Sequence, residues 1–247
     1  LYYSFYMEKN LNLYILIRTF ILIPFWFIFL GLICTAIVCC IVLPYGKIVA
    51  TKLYELFALV GIKLIGLKIN LTGENLVNKN QSYVIVSNHP SSIDIFTHIH
   101  VLPVSVRFLT KAELFKIPIF GSALKVLGLP KVDRRNVVKK EMNKSVEEVI
   151  KNNNSILVFA EGTRSDPEKG LLPFKKGAAW LAIKYKLPVL PVVTNNSGKL
   201  MPKGEIWLKS GDVYIEILEP ISTERMTLKE AGKLTTELEN LIKSKIK

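Results

Sequence analysis

Residues 83–94 read YVIVSNHPSSID. The first five favour a buried strand, because β-branched and aromatic side chains are enriched in strands. The remaining seven are mostly polar or turn-forming, so we expect the strand to end in a turn that leads into a helix. A strand, a turn and a helix in this order are typical of an α/β sheet. Ligands of such sheets bind at the carboxyl ends of the strands, which is where this turn lies.

The same alternation continues through residues 67–247 and predicts one α/β domain there. Helical patterns occupy residues 137–151, 176–185 and 228–246. Two prolines in the segment 188–193 predict an edge strand or an interrupted ladder. We expect a mixed, largely parallel sheet of about seven strands with flanking helices. The predicted strands are residues 67–72, 83–87, 106–110, 156–160, 188–193, 205–208 and 213–218.

Residues 1–66 are predicted to form a hydrophobic helical membrane anchor. No residue from Thr19 to Gly46 is charged, and this run of 28 exceeds the roughly 20 residues that a helix needs to cross a bilayer. A cleaved signal peptide is the competing interpretation, but its apolar region is usually about 7–15 residues long. A soluble helix that is apolar all round would need a large core. A single crossing and a half-inserted helical hairpin both fit the pattern.

The basic residues around this run predict its orientation. Four lysines follow the run within residues 47–68, whereas Lys9 and Arg18 precede it. Cytoplasmic flanks carry an excess of lysine and arginine, so we expect the larger C-terminal part on the cytoplasmic face. The chain begins with Leu1, and Met7 is a candidate initiator.

Composition narrows the classes of partner. Half of the 247 residues are hydrophobic, the mean hydropathy is +0.32, and the formal charge is +13. This charge favours anionic partners, which include nucleic acid, phosphorylated metabolites and an acidic membrane face. No motif interleaves aromatic and basic residues, so we do not expect nucleic-acid binding. The three cysteines lie in the apolar run, which excludes a disulfide framework and a thiolate zinc site in the α/β domain.

His89 and Asp94 are five positions apart across the turn after the second predicted strand. A carboxylate bonded to one ring nitrogen fixes the tautomer and leaves the other nitrogen as a base. The alternative is a polar pair that caps a helix, because helix starts attract such residues. Ser91 and Ser92 belong to the same turn and are badly placed as nucleophiles. We therefore expect the hydroxyl that His89 activates to come from a substrate.

All three histidines of the chain lie within twelve positions, which raises the question of a metal site. His98 and His100 are two positions apart, so a helix would point them to different sides and a strand would point them to one face. A tetrahedral site that joins them to His89 is not expected. We predict that His98 and His100 are ordinary, partly exposed histidines.

A second polar motif follows the strand predicted at 156–160. Residues 161–164 read EGTR, in which Gly162 permits a close backbone approach and Arg164 offers a planar fork of donors for a phosphate. Glu161 is expected to orient that fork, and two lysines at 175–176 add charge. The alternative is a surface turn with a salt bridge.

A third segment, residues 111–121, reads KAELFKIPIFG and is followed by Asp133 and Arg134. It predicts a hydrophobic wall with Lys111 and Arg134 at its edge. The alternative is that Leu114 and the two phenylalanines of this segment belong to the core.

In this order the motifs resemble those of the glycerolipid acyltransferase family, most closely its 1-acyl-sn-glycerol-3-phosphate acyltransferases. Residues 88–94 match the family's NHxSxxD block and residues 161–164 its EGTR block. Residues 111–121 with 132–134 resemble the second block, and residues 188–191 the fourth. Ala160 stands where the family usually has proline, which should alter local stiffness more than chemistry.

The resemblance implies that acyl-CoA or acyl-carrier protein donates a fatty acyl group to the 2-hydroxyl of lysophosphatidic acid. His89 would be the general base and Asp94 would orient it, with no acyl-enzyme, metal or cofactor. Backbone amides of residues 88–91 are the expected donors to the thioester oxyanion. A membrane lipid surface is the expected setting. The residues expected to bind the substrate are Arg164, Lys111, Glu161, Gly162, Thr163, Asn88 and Ser91.

Two alternatives to this function stay open. The same motifs would serve another acceptor, namely glycerol 3-phosphate, another lysophospholipid or a lyso-aminolipid. A membrane phospholipid-binding factor without turnover would keep Arg164 and Lys111 but would not need the His89 base.

Overall fold

The computed structural model describes residues 2–132, 139–166 and 170–247. The first residues of the helix predicted at 137–151 lie outside these ranges. Asp133 and Arg134 also lie outside them. The helices are α1 (Tyr2–Cys39), α2 (Gly46–Ile65), α3 (Asp94–Val101), α4 (Phe120–Val126), α5 (Lys139–Lys151), α6 (Gly177–Tyr185), α7 (Ser197–Leu200) and α8 (Ala231–Lys243). The strands are β1 (Leu67–Thr72), β2 (Val84–Ser87), β3 (Val106–Phe108), β4 (Thr110–Lys111), β5 (Lys131–Val132), β6 (Ser155–Phe159), β7 (Val189–Asn195) and β8 (Gly211–Ile217).

The main sheet has six strands in the order β1-β8-β7-β2-β6-β3. Every neighbouring pair is parallel except β7 and β8, which confirms the predicted mixed, largely parallel α/β sheet. The predicted strand at 106–110 divides, because Thr110 and Lys111 leave the main sheet and pair with β5 in a small parallel sheet.

The prediction of a strand at residues 205–208 is wrong. These residues form no strand, because the backbone of Leu208 is bonded to side chains of α1 instead of a neighbouring strand. Its N–H donates to Thr19 Oγ1 at 3.2 Å, and its carbonyl accepts from Arg18 Nη1 at 3.2 Å. The count of six strands instead of about seven follows from this loss.

Pro191 lies in the interior strand β7, so the predicted edge strand is also wrong. Leu218 donates its N–H to the Pro191 carbonyl at 2.9 Å, just beyond the end of β8. The hydrogen bond that Pro191 cannot donate therefore falls where the antiparallel ladder ends. The interrupted ladder, which was the other predicted arrangement, is what the strand shows.

Each face of the main sheet is covered by helices, as both faces of a largely parallel sheet must be. Ile85 points to the face that packs against α1, α2, α3 and α4. Its neighbours Val84 and Val86 point to the other face, in the cluster that includes residues of α5, α6 and α8. The period of two along β2 thus separates two hydrophobic clusters.

The two N-terminal helices share the first of these clusters with the α/β domain. Ile33, Cys34 and Ile37 of α1 are buried in it. The Arg18 guanidinium donates to the carbonyls of Leu64 and Ile65 at the end of α2, where the helix dipole favours a cation. The predicted boundary between a membrane anchor and an α/β domain lies between residues 66 and 67. Because α1 and α2 share a hydrophobic cluster with the sheet, the packing does not separate the two parts there, and the boundary stays a prediction.

The opposite face of α1 is apolar and exposed. Within the described residues, one helical stretch, Leu13–Val42, which includes most of α1, is long and apolar enough to cross a membrane. The outward face of α1 makes this helix a candidate membrane anchor. Within α1, the most exposed of the large apolar side chains are Phe20, Ile21, Phe27, Ile28 and Leu32.

Candidate active site

The site lies at the carboxyl ends of β2 and β6. These strands are parallel neighbours, with Ser87 opposite Phe159 in the register. The turn that begins at Asn88 and the loop that begins at Ala160 therefore leave the sheet side by side. This placement is what the α/β pattern predicts for a ligand site.

His89 and Asp94 form a hydrogen-bonded pair. His89 Nδ1 lies 2.9 Å from Asp94 Oδ2, and the Ser91 N–H donates to the same oxygen at 2.9 Å. Asp94 is fully buried at the start of α3. Because a carboxylate only accepts, His89 is assigned the tautomer with the proton on Nδ1, which leaves the lone pair of Nε2 free to act as a base. The pair thus has the geometry that general-base chemistry needs.

The ring of Phe159 holds the His89 imidazole from one side. The two ring centroids are 3.8 Å apart and the planes differ by 9°. A ring stacked this closely hinders any rotation that would tilt the imidazole out of its plane. Sequence reasoning placed Phe159 in a strand and missed this contact, which its position as the last residue of β6 makes possible.

Glu161 links the loop that follows β6 to the turn that follows β2. Its carboxylate accepts the N–H of His89 at 2.8 Å and the N–H of Leu172 at 2.9 Å, and the residue is 2% exposed. Burial raises the pKa of this carboxyl, while the hydrogen bonds oppose the shift. The expected role of orienting the Arg164 fork does not match these contacts, because the Glu161 oxygens bind backbone amides. Arg164 Nη1 instead donates to Ser92 Oγ at 2.6 Å.

The prediction that backbone amides near His89 serve the oxyanion is wrong for two of them. The His89 N–H donates to Glu161 and the Ser91 N–H donates to Asp94. Pro90 has no N–H to offer.

Asn88 and Ser91 lie beneath the site. The Asn88 amide donates to the Thr194 carbonyl and accepts from the Thr194 N–H, both at 2.8 Å. Ser91 is fully buried, and its hydroxyl donates to the Met201 carbonyl at 2.8 Å. These side chains hold the His89 turn on β7 and on the loop that follows α7. Their predicted contact with substrate stays a prediction.

A cavity of about 630 Å³ opens beside the His89 ring. Gly162 has a φ of +73°, a conformation in which a residue with a side chain would be strained. The structure thus brings His89, Lys111, Gly162, Thr163 and Arg164 together around one space. Its polar end is lined by His89, Lys111, Gly162, Thr163, Arg164 and Lys175.

The rest of this cavity is apolar and runs between the N-terminal helices and the sheet. Its wall includes Leu114 and Phe120 from the segment 111–121, as the predicted hydrophobic wall requires. Four successive inward positions of α1 also line it, which sequence reasoning did not predict. The apolar lining includes Leu30, Ile33, Cys34, Ile37, Tyr54, Phe57, Ile95, Phe96, Leu124 and Leu127.

His98 is fully buried, so the prediction of partial exposure is wrong for it, whereas His100 is exposed. His98 Nδ1 lies 2.7 Å from the Asp94 main-chain oxygen, which can only accept, so Nδ1 carries a proton. His98 Nε2 lies 3.1 Å from Ser87 Oγ and 3.4 Å from Thr194 Oγ1. The first turn of α3, which carries Asp94, is thus fixed to the ends of β2 and β7. Burial lowers the pKa of His98 and keeps the ring neutral.

We expect this buried ring to make stability depend on pH. Its folded pKa lies below the unfolded value of about 6.5, so the unfolded chain binds the proton first. The stabilisation is complete above the unfolded pKa and is lost as pH falls from the unfolded pKa to the folded pKa, by up to about 1.4 kcal/mol per pH unit. His98→Asn keeps a donor near the Asp94 carbonyl and does not titrate. Thermal unfolding in detergent from pH 7 to pH 5 should therefore show a smaller loss of stability in this variant.

His100→Asn is the matched control, because His100 lies on the same helix but is exposed. Its unfolding should follow the wild-type pH dependence. Parallel pH curves for wild type and His98→Asn would contradict the assignment of a neutral buried ring.

Known proteins resemble this chain across the region that carries the site. Residues 68–195, slightly more than half of the chain, match the family model described as Acyltransferase. The matched region contains the turn after β2, the loop after β6 and the segment 111–121 that borders the cavity.

Several relatives are named 1-acyl-sn-glycerol-3-phosphate acyltransferase. The one from Saccharomyces cerevisiae is 36% identical over 71% of this chain and 58% of its own length. BAT2 of Brassica napus chloroplasts is 38% identical over 68% of this chain and 50% of its own. The alpha form from Mus musculus is 31% identical over 82% and 70%. The chain thus spans about half the length of the first two relatives.

The fold also resembles a crystal structure, that of the 1-acyl-sn-glycerophosphate acyltransferase PlsC from Thermotoga maritima. The TM-score is 0.75 at 25% identity, and the match covers 96% of this chain and 95% of the other. The similarity therefore includes the N-terminal helices as well as the sheet. With the family model and the relatives it confirms the resemblance seen in the motifs, and the chain belongs to the Acyltransferase family.

Proposed function

We propose that this chain transfers a fatty acyl group from an acyl thioester to the 2-hydroxyl of 1-acyl-sn-glycerol 3-phosphate, forming phosphatidic acid. The observation that carries the proposal is the His89–Asp94 pair at 2.9 Å, which opens onto a cavity with a cationic end and an apolar remainder. An acceptor with one phosphate and one hydrocarbon chain has the matching chemistry. The names of the relatives support the same acceptor.

The proposed reaction has one covalent step. His89 Nε2 takes the proton of the acceptor hydroxyl while its oxygen attacks the thioester carbonyl. Asp94 stabilises the imidazolium that forms, because its carboxylate accepts from Nδ1. The C–O bond forms, the C–S bond breaks, and the departing thiolate takes the proton from the imidazolium. No acyl-enzyme is formed, and acyl-CoA and acyl-carrier protein are both suitable donors.

The acceptor phosphate is assigned to the cationic end of the cavity. Arg164 offers a planar fork of donors, and Lys111 and Lys175 add point charges. Charge-assisted hydrogen bonds of this kind are stronger than neutral ones. The Glu161 bridge between the two loops keeps this end of the cavity next to His89.

The assay that tests the proposal offers purified protein both acyl donors, with lysophosphatidic acid, glycerol 3-phosphate and lysophosphatidylcholine as acceptors. Phosphatidic acid formed by wild type and not by His89→Ala is the expected result. Product from another acceptor would keep the mechanism and change the substrate. No product from any pair would favour a phospholipid-binding factor.

We also propose that the exposed face of α1 anchors the protein in a membrane, with the α/β domain on the cytoplasmic face. Truncation is a poor test, because it would remove Ile33, Cys34 and Ile37 from the core. Ile21→Lys with Ile28→Lys instead changes two side chains that are 65% and 64% exposed. Each lysine costs about 2.5–3.5 kcal/mol at the centre of a bilayer. We expect the double variant to move from the membrane pellet to the soluble fraction.

The matched control is Tyr214→Lys with Leu228→Lys, at positions that are 51% and 49% exposed on the α/β domain. It should stay with the membrane, as the wild type does. If the α1 variant also stays there, the anchor lies elsewhere.

A further inference from the structure

Ile119 has a backbone conformation that isoleucine rarely adopts. Its φ is 62° and its ψ is −57°, and the Phe120 N–H donates to the Pro118 carbonyl at 2.6 Å. These values define a γ-turn with positive φ, which is rare and strained. A β-branched residue at positive φ is a genuine outlier, and such strain concentrates at functional positions.

The surrounding backbone holds this turn in place. Gly121 donates its N–H to the Ile117 carbonyl at 2.8 Å, and Ala123 donates to the Ile119 carbonyl at 2.9 Å. A Cβ added at Gly121 would lie 2.3 Å from the Phe115 carbonyl oxygen, so the chain packs too closely there for another residue. The turn is thus fixed from both sides.

The turn presents apolar side chains to solvent. Ile117 is 47% and Ile119 is 52% exposed, and Pro118 between them is also exposed. An apolar ridge at this exposure is unfavourable in water and favourable in hydrocarbon. The strained turn therefore holds outward two side chains that the core does not use.

The ridge lies at the rim of the cavity beside His89 and close to the candidate anchor helix α1. Leu114 is 36% exposed and also lines the cavity, and Phe120, which follows the turn, lines it as well. Helix α4, which begins at Phe120, packs against α1. Lys111 and Lys116 are exposed on the same segment and would face anionic headgroups favourably.

We propose that the ridge of residues 117–119 is a second lipid-contacting element, which inserts into the surface of an anionic phospholipid layer at the mouth of the cavity. The inference rests on the proposed function, since an acceptor that resides in the layer must reach His89. The ridge and the α1 face together hold the cavity mouth against the lipid. The acceptor then passes from the layer into the cavity without crossing bulk water.

Fluorescence of the full-length protein tests the contact without relying on activity. Ile119→Trp places a tryptophan on the ridge, and Leu228→Trp places one at a similarly exposed position beside α6, on the other side of the sheet. Anionic vesicles that contain brominated phospholipid should quench the emission added by Ile119→Trp. They should leave the emission added by Leu228→Trp unquenched. Equal emission from Ile119→Trp with and without brominated lipid would overturn the proposal.

A second variant separates lipid contact from folding. Ile119→Gly removes the side chain and relieves the strain, because glycine populates positive φ readily. Its melting temperature and its activity on monomeric, short-chain lysophosphatidic acid should not fall. Its activity on long-chain acceptor in anionic vesicles should fall about tenfold, the loss expected when one isoleucine is no longer buried. Equal activity of wild type and Ile119→Gly on vesicles would contradict the proposed role.

The two proposals fail separately. If wild type transfers no acyl group but brominated lipid quenches Ile119→Trp, the lipid contact stands and the proposed function falls. If wild type is active and the Ile119→Trp emission is unquenched, the function stands and the lipid contact falls.

Discussion

His89→Ala is expected to lower turnover by about 10²- to 10⁴-fold, the contribution typical of a general base. The imidazole is the group at the cavity whose free nitrogen is set up to accept a proton, because Asp94 holds Nδ1 at 2.9 Å and Phe159 stacks on the ring. Alanine leaves the backbone N–H that donates to Glu161, so the loop contact at 2.8 Å survives. Steady-state acyl transfer by folded variant and wild type measures the effect.

His100→Ala is the matched control, since it removes an exposed imidazole from the same part of the chain. Its turnover should equal that of wild type. Asp94→Asn should lose turnover in the same direction as His89→Ala, because an amide does not stabilise the imidazolium as a carboxylate does. Near-normal turnover of His89→Ala, with unfolding unchanged, would remove the general-base assignment.

The local part of the site could be predicted from the sequence. His89 and Asp94 are separated by one turn that starts a helix, so their spacing alone brings the two side chains together. The same holds for the strands β1, β2 and β6, which lie within a residue or two of their predicted bounds. Such elements can be predicted because the hydrophobic periodicity of a short segment is the main signal of its secondary structure.

Long-range contacts could not be predicted in this way. Glu161 reaches the His89 amide across 72 residues, and only the parallel pairing of β2 and β6 makes the two loops neighbours. The sequence predicts that His98 is partly exposed, because no local pattern reveals that Ser87 and Thr194 lie behind it. The pattern at 205–208 suited a strand, yet α1 side chains took its backbone partners. In each case, contacts between residues far apart in the sequence override the structure that the local sequence prefers.

The candidate anchor helix α1 illustrates the same limit on a larger scale. The sequence predicts an apolar helix but does not say which of its faces meets protein. The structure buries Ile33 and Ile37 against the domain and leaves Ile21 and Ile28 exposed. The helix thus serves the fold and the cavity with one face, and the other face is free to meet lipid.

Arg164→Lys is expected to raise the KM for lysophosphatidic acid by about 10- to 100-fold. Lysine keeps the charge but loses the planar fork, and one hydrogen bond to a charged group is worth about 1.5–3 kcal/mol, or one to two factors of ten. It also loses the hydrogen bond of Arg164 Nη1 to Ser92 Oγ at 2.6 Å, which positions the guanidinium. The KM for the acyl donor should stay close to its wild-type value, because the donor thioester is not held by this fork. Initial rates with each substrate varied in turn give both constants.

A phosphate-free acceptor shows whether the effect belongs to the phosphate. Monoacylglycerol has the same hydroxyl and acyl chain, so Arg164→Lys should leave kcat/KM for it unchanged while lowering kcat/KM for lysophosphatidic acid. Lys176→Ala removes an exposed charge beside Lys175 and should change neither ratio, which excludes a general loss of positive surface. If Arg164→Lys raised both KM values equally, or weakened both acceptors alike, the fork would be holding the loop after β6 and not the phosphate. The Glu161 bridge already holds that loop through the His89 and Leu172 amides, and for this reason we expect the loss to be confined to the phosphorylated acceptor.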